Sequence, residues 1–277
     1  MAKESKPNGA DTKLSADKIW GRMRVESATV AAKEPILASL LHATILNHDS
    51  FKDALSYRLA HKLADAEMNT MLWREVCDVA YHGAPEIVDA TLVDLNAVYE
   101  RDPACHEYVQ PFLFFKGFLA LQAHRVGNYL WHHDRQSLAH YLQSRVSELF
   151  AVDIHPRVQV GKGVFIDHAT GIVVGETCVI GDDVSILQNV TLGGTGKETG
   201  DRHPKIKRGA LISVGAKVLG NITVGEDAKV AAGSVVLKDV EPRSTVAGIP
   251  AKPVGHKSEA APSETMDQNF YYDTYSI

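Results

Sequence analysis

Beyond residue 150 the aliphatic residues of this chain keep a period of six. Ile154 leads to Val160 and Ile166. After a shift of two residues come Val174, Ile180, Ile186 and Leu192. After a longer interruption, Ile206, Ile212, Val218, Val224, Val230 and Val236 hold the spacing without a slip. This is the hexapeptide repeat of a parallel β-helix, in which each unit supplies one short strand and a turn. The aliphatic anchor points into a narrow prism. Small or β-branched residues four positions later, such as Val158, Thr170, Cys178, Ala210 and Ala216, suit its tight corners. Three units complete one coil, so residues about 18 apart are expected to stack at the inter-strand spacing of roughly 4.8 Å.

Two irregularities interrupt the repeat. One is the two-residue slip just after "IDHATG". The other is the glycine-rich, charged segment "GGTGKETGDRHPK", residues 193–205. Loops thrown out of a regular solenoid commonly carry function.

The first half has a different period. Residues 15–148 read as an all-α domain. Ser15 is a plausible cap for the first helix, Ser50 and Asp53 form a capping box, and Pro85 stands near a first helical position. The most apolar run, "FLFFKGFLALQA", is short and broken by Lys116 and Gly117, so a buried helix is expected rather than a membrane span. His124, His132, His133 and His140 lie on these helices without the carboxylate or cysteine pattern of a metal site. The chain thus divides into a polar N-terminus (1–14), a helical domain (15–148), a β-helix (149–256) and a polar, flexible tail (257–277), an α+β architecture.

Composition narrows the function classes. A net charge of −5 gives no basic footprint for nucleic acid. The N-terminal stretch lacks the apolar core of a secretory signal. Three widely spaced cysteines without a CxxC fit reduced thiols in a cytoplasmic protein.

Several side chains invite chemistry. Asp153 and His168 lie about one coil apart, so the fold is expected to bring them near each other. A carboxylate on one imidazole nitrogen fixes the tautomer and leaves the other nitrogen as a base. Arg202 and His203 sit in the extruded segment and are expected to fold over the same face, where the guanidinium fork suits a carboxylate. Each has a plainer reading: His168 as a turn residue bonded to backbone, "DRHPK" as a solvated loop tip, Glu176 as a solvated corner charge. Gly193, Gly194 and Gly196 form either a simple turn or a place where a coenzyme chain approaches the backbone. No spacing supports zinc held by His155, His168 and His203.

The repeat together with "DHATGIVVGET", "SILQNVTLGGTGK" and "GDRHPKI" resembles the serine acetyltransferases of the hexapeptide acyltransferase superfamily. "RDPACHEYVQPFLFFKGFLALQAHRVGNYLW" is similar to that family's N-terminal domain, and "AGIPAKPVG" looks like the terminal strand of many left-handed β-helix acyltransferases. The resemblance covers roughly residues 17–258. It implies a left-handed β-helix and transfer of the acetyl group of acetyl-CoA to L-serine, giving O-acetyl-L-serine, without a tightly bound cofactor. It implies His168 as general base oriented by Asp153, Asp167 and Asp102 on the serine ammonium group, and Arg202 and His203 on its carboxylate. Glu176 would support the base or the site floor. Gly194, Thr195, Val214, Lys229 and Ala232 would line the coenzyme path. Val214, in "ISVGAK", departs from the small residues common there. The resemblance further implies trimers through the β-helix, a hexamer through the helical domains, inhibition by L-cysteine, and binding of O-acetylserine sulfhydrylase through Ile277.

Two other readings use the same residues. A sugar or xenobiotic hydroxyl as acceptor would not need the charges of Asp102, Asp167 and Arg202. A non-catalytic β-helix acting through Ile277 alone would lose its function with the last residues.

Overall fold

The structure is a computed structural model and describes residues 16–196, 199–254 and 261–269. The candidate cap Ser15, the first dozen residues and Ile277 lie outside the described residues.

Among the described residues eight α-helices precede the first strand: α1 (Ala16–Lys33), α2 (Ala38–Leu41), α3 (Phe51–Leu63), α4 (Thr70–Gly83), α5 (Glu86–Arg101), α6 (Val109–Phe114), α7 (Lys116–His132) and α8 (Gln136–Phe150). Local chemistry starts them. The Ser50 hydroxyl accepts the Asp53 N–H at 3.2 Å and donates to the Asp53 carboxylate at 2.6 Å, opening α3. Asn69 does the same work for α4, accepting from the N–H groups of Met71 and Leu72. Pro85 occupies the cap position, one residue before α5. The apolar run around Lys116 forms two helices rather than one. Phe115 is extended (φ −84°, ψ 109°) and redirects the chain, so that α7 lies against the β-helix. Gly117 makes that approach possible: a Cβ there would stand 2.1 Å from the Ile166 carbonyl oxygen.

The β-helix has three faces. Face one stacks β1 (Val152–Ile154), β4 (Ile172–Val174), β7 (Thr191–Gly193), β10 (Lys217–Leu219) and β13 (Val235–Val236). Face two stacks β2 (Gln159–Val160), β5 (Val179–Ile180), β8 (Lys205–Ile206) and β11 (Thr223–Val224). Face three stacks β3 (Phe165–Ile166), β6 (Ser185–Ile186), β9 (Leu211–Ile212), β12 (Lys229–Val230) and β14 (Thr245–Gly248), and β15 (Ala251–Pro253) closes it antiparallel.

Every six-residue anchor lies in a strand, and all but the half-buried Val160 are buried. In the last coils Val218 pairs with Val236, at the expected repeat of eighteen. Val152 pairs with Ile172, and Leu192 with Val218, so the slip and the extrusion are absorbed outside the strands and the ladder recovers its register after each. Corners use left-handed backbone, and Asp183, Asn189 and Asp227 stand at three of them, as short polar side chains tolerate that conformation.

The helical half covers the open end of this solenoid. Arg125 donates from Nε and Nη2 to Asp94 Oδ2 at 3.0 and 2.7 Å, and reaches the carbonyls of Val160 (3.2 Å) and Gly161 (2.6 Å). Asp94 Oδ1 accepts the Val164 N–H at 3.0 Å, and Gln122 Nε2 donates to Asp94 Oδ2 at 3.1 Å. The first coil has no preceding coil to satisfy its backbone, and these side chains take that place. Residues 261–269, within the stretch expected to be flexible, pack on face three: α9 (Pro262–Thr265) buries Pro262 and Ser263, and Met266 rests on the core. No described helix is long and apolar enough to cross a membrane.

Candidate active site

The two-residue slip is a strained turn. Asp167 ends the strand geometry of β3, its N–H bonded to Ile186 O at 2.9 Å. His168 (φ 54°) and Ala169 (φ 63°) then adopt the left-handed region in succession, which costs of order 1–3 kcal/mol each for non-glycine residues. Gly171 (φ 78°) completes the turn and ties it back to Ala151 O at 2.8 Å. The imidazole is thrown outward, its side chain 72% exposed, with Nε2 at 3.8 Å from the Asp167 carboxylate. The corners at Asp183, Asn189 and Asp227 each use one left-handed non-glycine residue, whereas this turn uses two in succession.

A cleft of about 670 Å³ opens beside this turn, between the end of α5, the α6–α7 junction and β3. Asp102, Asp167 and His168 line it, with Lys116, Phe114 and Phe115. Asp102 caps α5, and its carboxylate accepts the Ala104 N–H at 2.8 Å. Burial pushes the Asp167 carboxyl above its ordinary value; the adjacent His168 opposes this, and Asp102 adds to it. Two carboxylates facing one partly buried cleft favour a cationic group between them. Lys116 is engaged with the Thr170 hydroxyl on the far side of the turn.

Asp153 stands on β1 of face one, two residues after the anchor point Ala151. Its carboxylate accepts the Gln143 amide of α8 at 2.7 Å, so the hydrogen bond seen in this chain is to Gln143 rather than to His168.

Arg202 and His203 do not fold over the His168 turn as expected. The turn lies at the corner between faces three and one. Glu176, Thr177, Arg202 and His203 lie at the corner between faces one and two, on the far side of β4. Strand β4 with its two flanking glycines, the four steps from Gly171 to Gly175, spans roughly 13 Å at strand rise. Arg202 Nη2 donates to Glu176 Oε2 at 2.9 Å, and Arg157 Nη1 to Glu176 Oε1 at 3.0 Å. Hydrogen bonds from Arg202 and then Arg157 hold the Glu176 carboxyl below its ordinary value. Glu176 therefore supports Arg202 and does not reach the candidate base in its own chain.

His203 is buried against Gly175, where a Cβ would stand 2.1 Å from the ring. Its Nδ1 accepts the Thr177 N–H at 3.2 Å and meets the Thr177 hydroxyl at 2.8 Å. An N–H can only donate, so Nδ1 is the acceptor and the neutral ring carries its proton on Nε2. Burial, and next the Arg202 charge, hold His203 below its ordinary value. The corner thus presents a guanidinium and an Nε2–H donor beside Gly194.

The coenzyme candidates divide likewise. Gly194 and Thr195 adjoin His203 and Gly220 at the second corner. Half-buried Val214 and exposed Ala232 lie in the same corner column as His168, one and two coils above the turn at Gln188. Lys229 belongs to neither: it is buried on face three, where Nζ donates to the carbonyls of Asp267 (2.8 Å) and Asn269.

Thr177, Arg157, Lys116 and Gln143 are site neighbours that sequence reasoning did not single out. Thr177 stands directly after Glu176 in "VVGET", where a β-branched residue reads as a corner filler.

A family model described as "Serine acetyltransferase, N-terminal" matches residues 19–123. The serine acetyltransferase of Salmonella typhimurium is 54% identical over 252 residues, which cover 91% of this chain and 92% of the relative. The chain belongs to the serine acetyltransferase family. Solved serine acetyltransferases share its fold. One in complex with cysteine superposes with a TM-score of 0.90 at 51% identity, covering 91% of this chain and 98% of that one. One from Brucella abortus in complex with coenzyme A gives 0.86 at 47%, covering 88% and 99%. A soybean serine acetyltransferase complexed with serine gives 0.85 at 51%, covering 88% and 100%.

Proposed function

We propose that the chain transfers the acetyl group of acetyl-CoA to the hydroxyl of L-serine, at a site shared between neighbouring copies. The observation that carries this reading is the split of charge between two corners of face one. Asp102 and Asp167 suit an ammonium group, and Arg202 with the His203 Nε2–H suits a carboxylate. A free amino acid needs both, yet the width of face one, roughly 13 Å along β4, separates them in one chain. A threefold arrangement of β-helices that sets one corner against the other's neighbour would join them. Val214 and Ala232 from one copy and Gly194 and Thr195 from the next would then border the groove for the coenzyme. The family's complexes with serine and coenzyme A support both ligands.

In this reading His168 takes the proton from the serine Oγ. The oxygen attacks the thioester carbonyl, and the resulting imidazolium returns the proton to the departing CoA thiolate. Asp153 orients the imidazole with one carboxylate oxygen while Gln143 holds the other. Acetyl-CoA acts as a co-substrate. L-cysteine, which differs from serine at one atom, competes for the same clamp, in keeping with the family's cysteine complex.

The wider assembly belongs to the same reading. The helical domains join two trimers into a hexamer, a role supported by Met71, Leu72 and Val79, which α4 exposes. Ile277 engages O-acetylserine sulfhydrylase, so deleting it abolishes capture of that enzyme while acetyl transfer persists. Residence in the cytosol is supported by three buried cysteine thiols.

The test of the shared site is subunit mixing. His168→Ala and Arg202→Ala are each expected to be nearly inactive as pure assemblies. Co-refolded together, they form sites with His168 from one copy and Arg202 from the other, and serine-dependent CoA release returns. Mixed assemblies as inactive as the parents would place the whole site within one chain.

A further inference from the structure

The cleft depends on a gap that no covalent connection sets. Asp102 belongs to the helical half and Asp167 to the β-helix, and sixty-odd residues separate them in sequence. Their carboxylates repel, so something must hold the end of α5 against β3.

We propose that Arg101 is a positioning residue that fixes the separation of the Asp102 and Asp167 carboxylates by fastening the last turn of α5 to the first two coils of the β-helix. Arg101 is the last residue of α5 and the immediate neighbour of Asp102. Its guanidinium is only 6% exposed. Nη1 donates to Gly163 O at 2.9 Å and to Ser185 Oγ at 3.2 Å, and Nη2 lies 3.4 Å from Asp183 Oδ1. Gly163 belongs to the coil that ends in Asp167, four residues on; Asp183 and Ser185 belong to the coil stacked upon it. One rigid planar group therefore spans the helical half and two successive coils, beside both carboxylates.

The clamp extends to the chain's C-terminal segment. Ser185 Oγ, which accepts from Arg101, donates to Ser263 O at 2.8 Å. Ser263 begins the stretch in which Met266 and Gln268 line the cleft wall. Arg101 lines the cleft, and three of its five N–H donors are held by Gly163, Ser185 and Asp183, so its effect on a substrate is assigned to its hold on Asp102. Arginine suits this position because three donors in a fixed plane meet three acceptors on two successive coils; lysine offers one ammonium point.

This inference rests on the reading of serine as acceptor and Asp102 as a ligand of its ammonium group. The test compares Arg101→Met, Arg101→Lys and Asp102→Asn in the full-length chain, measuring KM for L-serine, KM for acetyl-CoA and kcat on the folded fraction. Arg101→Met is expected to raise the serine KM about 10-fold and to leave the acetyl-CoA KM within about twofold, with Arg101→Lys between wild type and Arg101→Met. In the Asp102→Asn background Arg101→Met adds less than about twofold, because it acts through the carboxylate already removed. Ser185→Ala removes one anchor without a buried charge. It is expected to raise the serine KM by about threefold and carries the test should Arg101→Met not fold. A serine KM unchanged in these variants, an equal rise in both KM values, or full additivity with Asp102→Asn overturns the inference while leaving serine as the acceptor. Loss of serine dependence in the wild type overturns the acceptor reading itself.

Discussion

Gly117 is where a single methyl group should cost the protein both stability and activity. It stands in the first turn of α7, against the backbone of β3. A Cβ added there meets Ile166 O at 2.1 Å and Ile166 C at 3.0 Å. The obstacle is backbone, so no side chain can swing aside. Restoring ordinary contact at 3.4 Å moves α7 and β3 apart by about 1.3 Å, an overpacking that costs about 1–3 kcal/mol. The gain in helix propensity from glycine to alanine, at most about 1 kcal/mol, offsets only part of this. Ile166 directly precedes Asp167 and His168, so the displacement is delivered to the cleft. A misplacement of about 1 Å lowers catalytic efficiency by roughly 100-fold. Urea unfolding of Gly117→Ala should show the stability loss, and serine-dependent kcat/KM on the folded protein should fall by about that factor. Gly21→Ala on α1 is the control, since nothing lies within 4 Å of its Cβ, and it should unfold no earlier than wild type. Wild-type stability and wild-type kcat/KM in Gly117→Ala would refute the close-approach argument.

Asp94→Asn should lose about 3–5 kcal/mol in the same unfolding assay, because it strands the buried Arg125 guanidinium without its counter-charge. His124, fully buried and bonded to Val158 O, has its pKa lowered by burial to about 4. The unfolded chain therefore binds the extra proton first. Stability from this site is complete above about 6.5 and is lost as pH falls from there towards 4, so His124→Asn should flatten that part of the pH–stability curve. Glu176, held below its ordinary value by Arg202 and Arg157, contributes stability that is present above the usual carboxylate range. That contribution is lost as pH falls through its lowered pKa, and Glu176→Gln should remove it from an acid titration of unfolding. Arg202→Ala should raise the serine KM sharply; an unchanged value in steady-state kinetics would remove Arg202 from the carboxylate clamp.

The β-helix was legible because the prism admits one kind of residue at one spacing. Ile206 through Val236 could hardly be anything else, and they stack as the period requires. The break of the apolar run at Phe115 was not legible, because it answers to the approach of Gly117 to Ile166, a contact between distant parts of the chain. Asp94 and Arg125 were passed over because buried charges on helices look like surface charges in sequence. Lys229 was drawn to the coenzyme path on resemblance, while the structure commits it to the carbonyls of Asp267 and Asn269. The separation of Arg202 and His203 from His168 was present in the sequence as phase. His168 follows the third strand of one coil and Glu176 the first strand of the next, which puts a full face between them. The expectation that Arg202 and His203 fold over the face of His168 passed over that distance. Thr177 anchors it, its hydroxyl accepting the N–H groups of Arg202 at 3.0 Å and His203 at 3.1 Å.

The most direct test of the account is CoA release from acetyl-CoA on adding L-serine, with wild type and His168→Ala measured side by side. The account predicts serine-dependent release in the wild type that collapses by several orders of magnitude in the variant, with both proteins equally folded. Release that ignores serine, or that survives intact in His168→Ala, would contradict it.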